Sequence, residues 1–338
     1  MSDSIKPITL IVPTYQNRAG LARLLGTVVV QSWAKEMLEV IVVDDQSGED
    51  LTEIIAGFKD RLNVKLTVSE VKGRPGARNT GAKVAKGDAL IFIDDDMELS
   101  CNYLLEFMAA HQGRPDAVLV GRIEPAPAKD SLWNTLHDSR FGYQQKKAAE
   151  NPSDLPYTCL FTGSLLVPRM LFEKIGRFDQ ITFNHYGGED FDFGLRCRDA
   201  GIKLGYAEKA RAIHKQNKVG FNQYLKKAIW EAKSLARLLA KHRALLANES
   251  VRWEYLGEMP GFEVKLSTPG KQAIKRILSL PFISAALVFG AKPLWIFGLK
   301  AAALQLGIFG TKYFSLGYFD KELRLQLMNP VRAYKNDD

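Results

Sequence analysis

The sequence predicts an α/β fold in which helices flank a central sheet. Its first hundred residues alternate short apolar runs with segments of helical period, a pattern typical of parallel strands joined by crossover helices. One of these runs, Ile91–Ile93, is apolar on both faces of a strand, which indicates a buried position. With 46% hydrophobic and 25% charged residues in 338, the chain can bury a large core, and disordered or collagen-like architectures are disfavoured.

Each apolar run and each intervening segment predicts one element. Strands are expected at Ile8–Val12, Val40–Val43, Val64–Val68 and Leu90–Ile93. Helices are expected between them at Ala19–Gln31, Asp50–Lys59 and Ala77–Ala85, the last starting after the turn residues Pro75 and Gly76. Ligands bind beyond the carboxyl ends of the strands in open sheets of this kind. We therefore expect three segments that follow strands to share one crevice: Pro13–Asn17, Asp44–Ser47 and Asp94–Asp96.

Two further stretches predict elements of the same fold. "FTGSLLVPRMLFEKIGRFD" predicts a strand followed by a short helix. "GGEDFDFGLRCRDAG" predicts a helix that acidic residues open and Gly201 closes. Two strands are expected after it, in "KLGYA" and in "RAIH".

Three consecutive carboxylates, Asp94, Asp95 and Asp96, follow the buried run Ile91–Ile93. They would repel one another unless positive charge lies nearby, and a bound cation is the first candidate. In an extended chain the side chains of Asp94 and Asp96 leave the same face. This pair is therefore suited to a divalent cation together with the ribose or diphosphate of a nucleotide. The alternative is structural, with Asp96 capping the helix expected near Asn102.

Two other polar segments suggest contacts to a nucleotide. Asp44 and Asp45 end a predicted strand, and their oxygens can accept from the N–H of a uracil-like base or from a ribose hydroxyl; the alternative is an Asx-turn. In "KGRPGARNTGA", Arg74 and Arg78 are placed to face a diphosphate, and the alternative is an ordinary turn before a helix. This segment matches neither the Walker P-loop nor the GxGxxG fingerprint.

An acidic pair and a histidine complete the set. Glu189 and Asp190 follow two glycines, which let the backbone approach a ligand closely, and one carboxylate can act as general base toward an attacking hydroxyl. His214 ends a predicted strand and can give a cation a nitrogen ligand. The alternatives are a helix cap for the acidic pair and a structural role for the histidine.

These five elements, in this order, resemble the family 2 glycosyltransferases with the GT-A fold. The resemblance covers about residues 6–215, through "LIVPTYQNRAGLARLL", "EVIVVDDQSGED", "GARNTGAKVAKGDALIFIDDDMEL", "FTGSLLVPRMLFEKIGRFD" and "GGEDFDFGLRCRDAG" with a trailing histidine. Each segment is weakly specific by itself, whereas the ordered set is highly specific. The resemblance implies a Rossmann-like mixed sheet flanked by helices, with a nucleotide-sugar-binding catalytic domain at residues 1–215.

The resemblance also implies roles for individual residues. The nucleotide pocket would comprise Pro13, Thr14, Tyr15, Asp44 and Asp45, with Arg74 as a further donor contact. Asp94 and Asp96 would form a DxD pair, in which Asp95 can share the role given to Asp94. Asp96 and His214 would hold a divalent cation, Mn²⁺ or Mg²⁺. Asp190 would be the catalytic base, with Glu189 as its alternative, and Ser164 stands where many relatives have Asn.

The implied reaction transfers a sugar from a nucleoside diphosphate donor to a hydroxyl of a glycan or lipid-linked glycan, with inversion at the anomeric carbon. A UDP-linked sugar is the expected donor. Two alternatives remain. A sugar nucleotidyltransferase should show a Gly-rich basic loop directly after the first strand, which "VPTYQNRAG" lacks. A non-catalytic protein that binds anionic surfaces would explain the formal charge of +8, from 46 Lys and Arg against 38 Asp and Glu.

The distribution of basic residues favours a membrane surface over nucleic acid. Residues Phe221 to Arg243 predict a helix with an apolar and a basic stripe side by side, whereas a nucleic-acid binder should interleave basic residues with exposed aromatics. The apolar stripe comprises Phe221, Leu225, Ile229, Ala232, Leu235 and Leu239. The basic stripe comprises Lys226, Lys233, Arg237 and Lys241.

Residues 216–338 are expected to form a helical, partly hydrophobic extension that associates with a membrane. Its run Ile277–Ala291 is uncharged but shorter than the roughly 20 residues of a simple span. An interfacial or re-entrant hairpin suits the residues that follow, Lys292, Pro293, Trp295 and Lys300. The alternative is a helical hairpin buried against the catalytic domain.

The cysteines and the N-terminal segment indicate the compartment. Cys101, Cys159 and Cys197 have no CxxC spacing and are expected as free thiols in a reducing environment. "MSDSIKPITL" has no basic region followed by an apolar stretch, so no secretory signal is expected. The expected location is the cytoplasmic face of a cell membrane, with peripheral or re-entrant attachment.

Overall fold

The computed structural model describes residues 7–126, 132–184, 187–215, 220–242 and 280–296, with backbone only at 137–141, 143, 144, 281 and 295, and the single positions 278, 303, 306, 307, 310, 311, 315, 318, 321, 322 and 325. The chain divides into two compact units. The first comprises Met1–Ala126, Gln144–Gln180 and Glu189–Gln216. The second comprises Pro127–Tyr143, Ile181–Gly188 and Asn217–Asp338.

Within the described residues, the first unit holds an eight-stranded mixed sheet. Its strands are β1 Ile8–Thr14, β2 Leu38–Asp44, β3 Asn63–Val68, β4 Ala89–Ile93, β5 Met97–Leu99, β6 Val118–Pro125, β7 Ser164–Pro168 and β8 Leu204–His214, in the order β3-β2-β1-β4-β7-β6-β8-β5. The first four in this order are parallel. β7 runs antiparallel to both β4 and β6, β8 runs parallel to β6, and β5 runs antiparallel to β8. The predicted α/β class with a mixed sheet is confirmed.

The helices of the described part are α1 Arg18–Val29, α2 Thr52–Ala56, α3 Arg74–Val84, α4 Tyr103–Gly113, α5 Leu132–Glu150, α6 Arg169–Ile175, α7 Glu189–Asp199, α8 Phe221–Lys241 and α9 Pro281–Ile296. Short 3-10 turns lie at Lys35–Met37 and Tyr157–Cys159. Cys101, Cys159 and Cys197 are free thiols, as predicted.

The core lies on both faces of the sheet because its middle strands have two buried faces. Every residue of β1, β2 and β4 is buried. On one face Val12 belongs to the same apolar cluster as Leu24 of α1, and on the other Ile11 belongs to that of Ala77 of α3. Gly81 lets α3 approach the sheet closely, since a Cβ at this position would lie 2.5 Å from Ile11 Cγ2.

Three predicted boundaries were wrong. α3 begins at Arg74 and not at Ala77, because Pro75 lies in its first turn, where a helix needs no N–H donor. α2 is confined to Thr52–Ala56, about half of the predicted segment. The two strands predicted in "KLGYA" and "RAIH" are one strand, β8, whose pairing with β6 shifts register between Gly121 and Arg122.

In the second unit, many side chains of α8 are buried, most of them in its C-terminal half. Ala232, Leu235 and Leu239 of the predicted apolar stripe are buried. Arg237, predicted in the basic stripe, is buried as well, and its Nε donates to Glu322 Oε1 at 3.1 Å. Its assignment to a membrane-facing stripe was therefore wrong, because its charge is already paired inside the protein.

α9 carries an exposed apolar row. Phe282, Phe289 and Ile296 lie seven residues apart and are 71%, 52% and 69% exposed, and Lys292 is exposed on the same helix. Among the helices of the described residues, none has the length and apolar character needed to cross a membrane. Arg243, Ile277, Lys300 and the side chain of Trp295, all named in the predictions for this region, lie outside the described residues.

Candidate active site

The carboxyl ends of β1, β2 and β4 are neighbours at one edge of the sheet. Thr14 at the end of β1 lies opposite Asp44 of β2, and the Asp45 N–H donates to Thr14 O at 2.9 Å. β4 pairs in parallel with β1 and ends at Ile93, directly before Asp94–Asp96, the aspartate loop. The structure therefore brings together the three segments that were expected to share a crevice.

Asp95 is the member of the aspartate loop that points back toward β1. Its Oδ2 accepts from Thr14 Oγ1 at 2.6 Å, and its Oδ1 accepts from Asn17 Nδ2 at 2.9 Å. Burial raises the pKa of Asp95 to about 6, although these two hydrogen bonds lower it. Both oxygens of Asp95 are thus engaged within the protein, where they connect the ends of β1 and β4.

Asp96 lies beside His214. β5 pairs antiparallel with β8, with Met97 opposite His214, and this register places His214 Nε2 3.1 Å from Asp96 Oδ2. Burial, the strongest influence, would raise the pKa of Asp96. The hydrogen bond and charge of His214, together with the charge of Arg74, outweigh burial and hold this pKa below its ordinary value.

The pair of Asp96 and His214 fits a divalent cation. Asp96 Oδ1 is buried and has no hydrogen-bond partner within the described residues, so one carboxylate oxygen remains for a ligand. Carboxylate oxygen and imidazole nitrogen are both ligands of first-row divalent metals. In the described part of the chain, no group of three or more His, Cys, Asp or Glu side chains could hold a metal ion. A cation at this pair would therefore need further ligands, such as phosphate oxygens.

Arg78 joins the aspartate loop to the start of α7. Its side chain is 1% exposed. Nη2 donates to Asp94 Oδ1 at 2.8 Å, and Nη1 donates to Glu189 Oε1 at 2.9 Å. The expectation that Arg78 faces a diphosphate was wrong, because it lies inside a helix, with its guanidinium between two carboxylates.

Asp190 has different surroundings from Glu189. Two glycines with φ of 83° and 93°, a left-handed conformation that glycine tolerates, precede the pair. Glu189 is buried, whereas Asp190 is partly exposed and accepts from the Phe191 N–H at 2.9 Å. Burial and, after it, the charge of Glu189 raise the pKa of Asp190 to about 7. A partly exposed carboxyl that titrates near neutral pH can serve as a general base.

The residues predicted for the nucleotide include two aspartates that stabilise turns. Asp44 Oδ1 accepts from the Ser47 N–H, three residues on, at 3.1 Å, so its side chain makes a local contact, although not the bond to the second residue that defines the Asx-turn considered as its alternative. Asp45 Oδ1 accepts from the Gly73 N–H at 2.8 Å, and burial raises its pKa. Asp45 thereby connects the end of β2 to the loop before α3.

Tyr15 and Arg74 are the exposed members of the predicted nucleotide pocket. Tyr15 is 46% exposed, and Lys72 Nζ lies 5.7 Å from the centroid of its ring. Arg74 is exposed at the first position of α3, and its charge lowers the pKa of Asp45 and of Asp96. Pro13 and Thr14, in contrast, are buried in β1.

Sequence reasoning assigned no role to two asparagines that organise the site, although Asn17 ends one of the segments expected to share the crevice. Asn17 donates to Asp95 from 78 residues away. Asn79 Nδ2 donates to Phe178 O at 2.9 Å, and its Oδ1 accepts from the Phe178 N–H at 3.1 Å, across 99 residues. No local pattern indicates partners this distant.

Comparison with known families identifies the kind of domain. Residues 9–176 match the family model described as "Glycosyl transferase family 2". The chain carries a family 2 glycosyltransferase domain. The matched region contains the ends of β1 and β2, the aspartate loop and Arg78, whereas Glu189, Asp190 and His214 follow it in the sequence.

Curated relatives of this glycosyltransferase domain are longer than the region they share with it. Validoxylamine A glucosyltransferase of Streptomyces hygroscopicus subsp. jinggangensis is 29% identical over 231 residues, which cover 61% of this chain and 54% of the relative. Hyaluronan synthase of Pasteurella multocida is 28% identical over 239 residues, which cover 62% of this chain and 24% of the relative. The chain thus matches about half or less of these relatives.

A solved glycosyltransferase has the same fold. Mannosyltransferase PcManGT from Pyrobaculum calidifontis, solved in complex with GDP-Man and Mn²⁺, superposes with a TM-score of 0.61 at 17% identity. The superposition covers 94% of this chain and 89% of the other. At this identity the likeness concerns the fold, and it confirms the expected GT-A type architecture.

Proposed function

We propose that this chain is an inverting, metal-dependent glycosyltransferase that moves a sugar from a nucleoside diphosphate donor to a hydroxyl. One observation carries the proposal. The aspartate loop, with Asp96 beside His214, is connected through Arg78 to the first turn of α7, which contains Asp190. A pair suited to a cation and a carboxyl of raised pKa therefore belong to one connected network. In a displacement at a sugar–phosphate bond, a cation can stabilise the leaving diphosphate and a base can activate the attacking hydroxyl.

The donor would bind along the ends of β1 and β2, at Pro13, Thr14, Tyr15, Asp44 and Asp45. The exposed ring of Tyr15 offers a surface for a base, and the carboxylates of Asp44 and Asp45 offer acceptors for a base N–H or a ribose hydroxyl. Arg74 would face the diphosphate. UDP is the nucleotide we expect, and GDP is the competitor to test, because the mannosyltransferase of the same fold was solved with GDP-Man.

Asp96 and His214 would hold the cation, Mn²⁺ or Mg²⁺. When bound, the cation supplies positive charge beside the diphosphate, which carries the negative charge of the leaving group. Asp94, whose Oδ1 is held by Arg78, would accept from the ribose or lie beside the diphosphate. A mannosyltransferase of the same fold was solved with Mn²⁺, which supports the presence of a divalent cation.

Asp190 would take the proton of the acceptor hydroxyl. The hydroxyl oxygen then forms a bond to the anomeric carbon on the face opposite the diphosphate. The bond from that carbon to the diphosphate oxygen breaks, and its electron pair leaves with the nucleotide. One such displacement inverts the configuration, and Asp190 suits the first step because its pKa of about 7 is matched to neutral pH.

The acceptor would be a glycan or lipid-linked glycan reached at a membrane surface. We assign catalysis to residues 1–215 and membrane association, at the cytoplasmic face, to residues 216–338. The support is the exposed row Phe282, Phe289 and Ile296 of α9, with Lys292 on the same helix. Apolar side chains beside a lysine suit the boundary between acyl chains and anionic headgroups.

The test is a screen of the purified chain against UDP-linked and GDP-linked sugars for slow donor hydrolysis, with Mn²⁺ and with a chelator. We expect hydrolysis of one donor, and its loss on chelation and in Asp190→Asn. Pyrophosphate release from a nucleoside triphosphate and a sugar 1-phosphate would instead identify a nucleotidyltransferase. If no donor is hydrolysed and no nucleotide binds, the result favours the remaining alternative, a non-catalytic protein that binds anionic surfaces.

A further inference from the structure

We propose that Arg78 is a positioning residue. It fixes the aspartate loop relative to the start of α7, the helix that carries Asp190, and it neutralises the charge of Glu189 beside Asp190. The proposal rests on the proposed function for its chemistry. Its geometry rests on contacts within the first unit.

The guanidinium of Arg78 is enclosed within the protein. Residues 75 to 82 of α3 are all buried, and the Arg78 side chain is 1% exposed. Its two terminal nitrogens donate in different directions, to Asp94 at 2.8 Å and to Glu189 at 2.9 Å. Its Cζ also lies 6.0 Å from the centroid of the Phe178 ring. One planar cation is therefore held between two separate segments of the site.

The next residue of α3 strengthens this arrangement. The Asn79 side chain donates to the backbone carbonyl of Phe178 and accepts from the backbone N–H of Phe178. Asn79 Nδ2 also donates to Gln180 Oε1 at 2.9 Å. Arg78 and Asn79 thus hold, from one helix turn, the aspartate loop, the start of α7 and the segment around Phe178.

Glu189 depends on Arg78. Glu189 is 2% exposed, and its second oxygen, Oε2, has no hydrogen-bond partner within the described residues. A buried carboxylate that loses its cation is strongly unfavourable, and it acts on any neighbouring acid without compensation. That neighbour is Asp190, the next residue in the chain. Like charge raises the pKa of Asp190, and the charge of Arg78 lowers it.

Several other charges on α7 and on the elements packed against it form ion pairs of their own. α7 packs against the turn Tyr157–Cys159, α6 and β8. Paired charges on these elements and on α7 itself are Asp192 with Arg196, Glu173 with Arg177, and Arg211 with Glu124. The charges that act on the pKa of Asp190 in opposite directions are those of Glu189, which raises it, and Arg78, which lowers it.

The experiment is a titration of the Asp190 carboxyl carbon by ¹³C NMR in the full chain, without donor or metal. The resonance is assigned by its disappearance in Asp190→Asn. We expect Arg78→Gln to raise the titration midpoint by about one pH unit. Removing both charges in Arg78→Gln/Glu189→Gln should return the midpoint to its wild-type value or below it. A merely structural arginine would not show this reversal.

Arg114→Gln is the matched control. Arg114 donates to the backbone oxygens of Pro152 and Tyr206 in the same unit. Its loss should lower stability and leave the Asp190 midpoint where it was. Arg78→Lys, which retains the charge but offers an ammonium in place of the planar fork, should keep the midpoint near wild type while lowering kcat.

Two results would overturn the proposal: an unchanged midpoint in Arg78→Gln, or a midpoint that stays raised in the double variant. If Arg78→Gln does not fold, the double variant and Glu189→Gln decide the question, since Glu189→Gln must lower the midpoint. The titration needs no catalysis. Failure of every nucleotide sugar to react would therefore contradict the proposed function without changing this result.

Discussion

His214 Nε2 lies 3.1 Å from Asp96 Oδ2, although 118 residues separate them. Strand pairing produces this contact. Met97 lies opposite His214 in the ladder of β5 and β8, and the Lys215 N–H donates to Asp96 O at 2.7 Å. The paired backbone therefore holds the two side chains together, and such preorganisation favours the binding of a metal.

Asp96→Asn should weaken nucleotide binding in the presence of Mn²⁺ by at least about tenfold, because an amide is a poorer ligand than a carboxylate and lacks its charge. Calorimetric titration of UDP and GDP with and without Mn²⁺ measures the effect. The control is Asp116→Asn, at an exposed position. Equal Mn²⁺-dependent affinity in Asp96→Asn and wild type would contradict the assignment.

Asp190→Asn should retain donor binding and lose turnover by about a hundredfold or more, as expected when a general base is removed. Glu189→Gln is the comparison. It removes the carboxylate that is paired with Arg78, so it should disturb geometry while retaining the base. Steady-state kinetics with the donor found in the screen separates them. If only Glu189→Gln loses turnover, Glu189 is the general base and Asp190 is not.

The raised pKa of Asp190 predicts opposite pH effects on activity and on stability. The base must be deprotonated, so kcat/KM should fall about tenfold per pH unit below pH 7. A carboxyl whose pKa rises on folding binds its proton more tightly in the folded protein. Its stabilising contribution is therefore fully present below about pH 4 and is lost as the pH rises through about 7. Asp190→Asn should thus gain stability relative to wild type more at pH 8 than at pH 5, as measured by urea denaturation.

The strand ends were predictable from sequence because burial on both faces and the polar residues that follow are local signals. The first four strands, and the meeting of their carboxyl ends, follow from apolar runs that alternate with helical segments. The start of α3 was missed because "RPG" is compatible with a turn and equally with the first turn of a helix. In the structure this first turn packs closely on the preceding loop, since a Cβ at Gly76 would clash with Val71 O.

The partners of the charged residues were not predictable. Arg78 and Glu189 are 111 residues apart, and no local spacing indicates which of two arginines faces a ligand and which faces carboxylates. The three aspartates likewise have identical chemistry. Their separate surroundings come from Thr14, Arg78 and His214, which tertiary structure brings to each of them.

Gly81→Ala should destabilise the protein by about 1–3 kcal/mol, the usual cost of overpacking a core. The added Cβ would lie 2.5 Å from Ile11 Cγ2 and 3.1 Å from Val43 Cγ2, on strands that cannot retreat. The matched control is Gly26→Ala in α1, where a Cβ meets nothing within 4 Å. It should stabilise by about 0.5–1 kcal/mol through helix propensity. Thermal and urea melts compare the two, and equal effects would mean that α3 does not pack closely on β1.

The exposed row on α9 predicts binding to anionic membranes. Phe282 and Ile296 are the most exposed of its three members, whereas Phe289 also packs against Phe221, with 5.2 Å between the two ring centroids. A large apolar side chain contributes about 1.5–3 kcal/mol when fully removed from water, and a lysine near an anionic surface contributes about 1 kcal/mol. Phe282→Ser/Ile296→Ser should therefore reduce flotation of the full chain with phosphatidylserine-containing vesicles at low salt. Met170→Ser, at an 85% exposed methionine of α6, is the control and should float like wild type. If the wild type stays unbound at low salt, or if the double variant floats equally well, α9 is not the membrane-binding element.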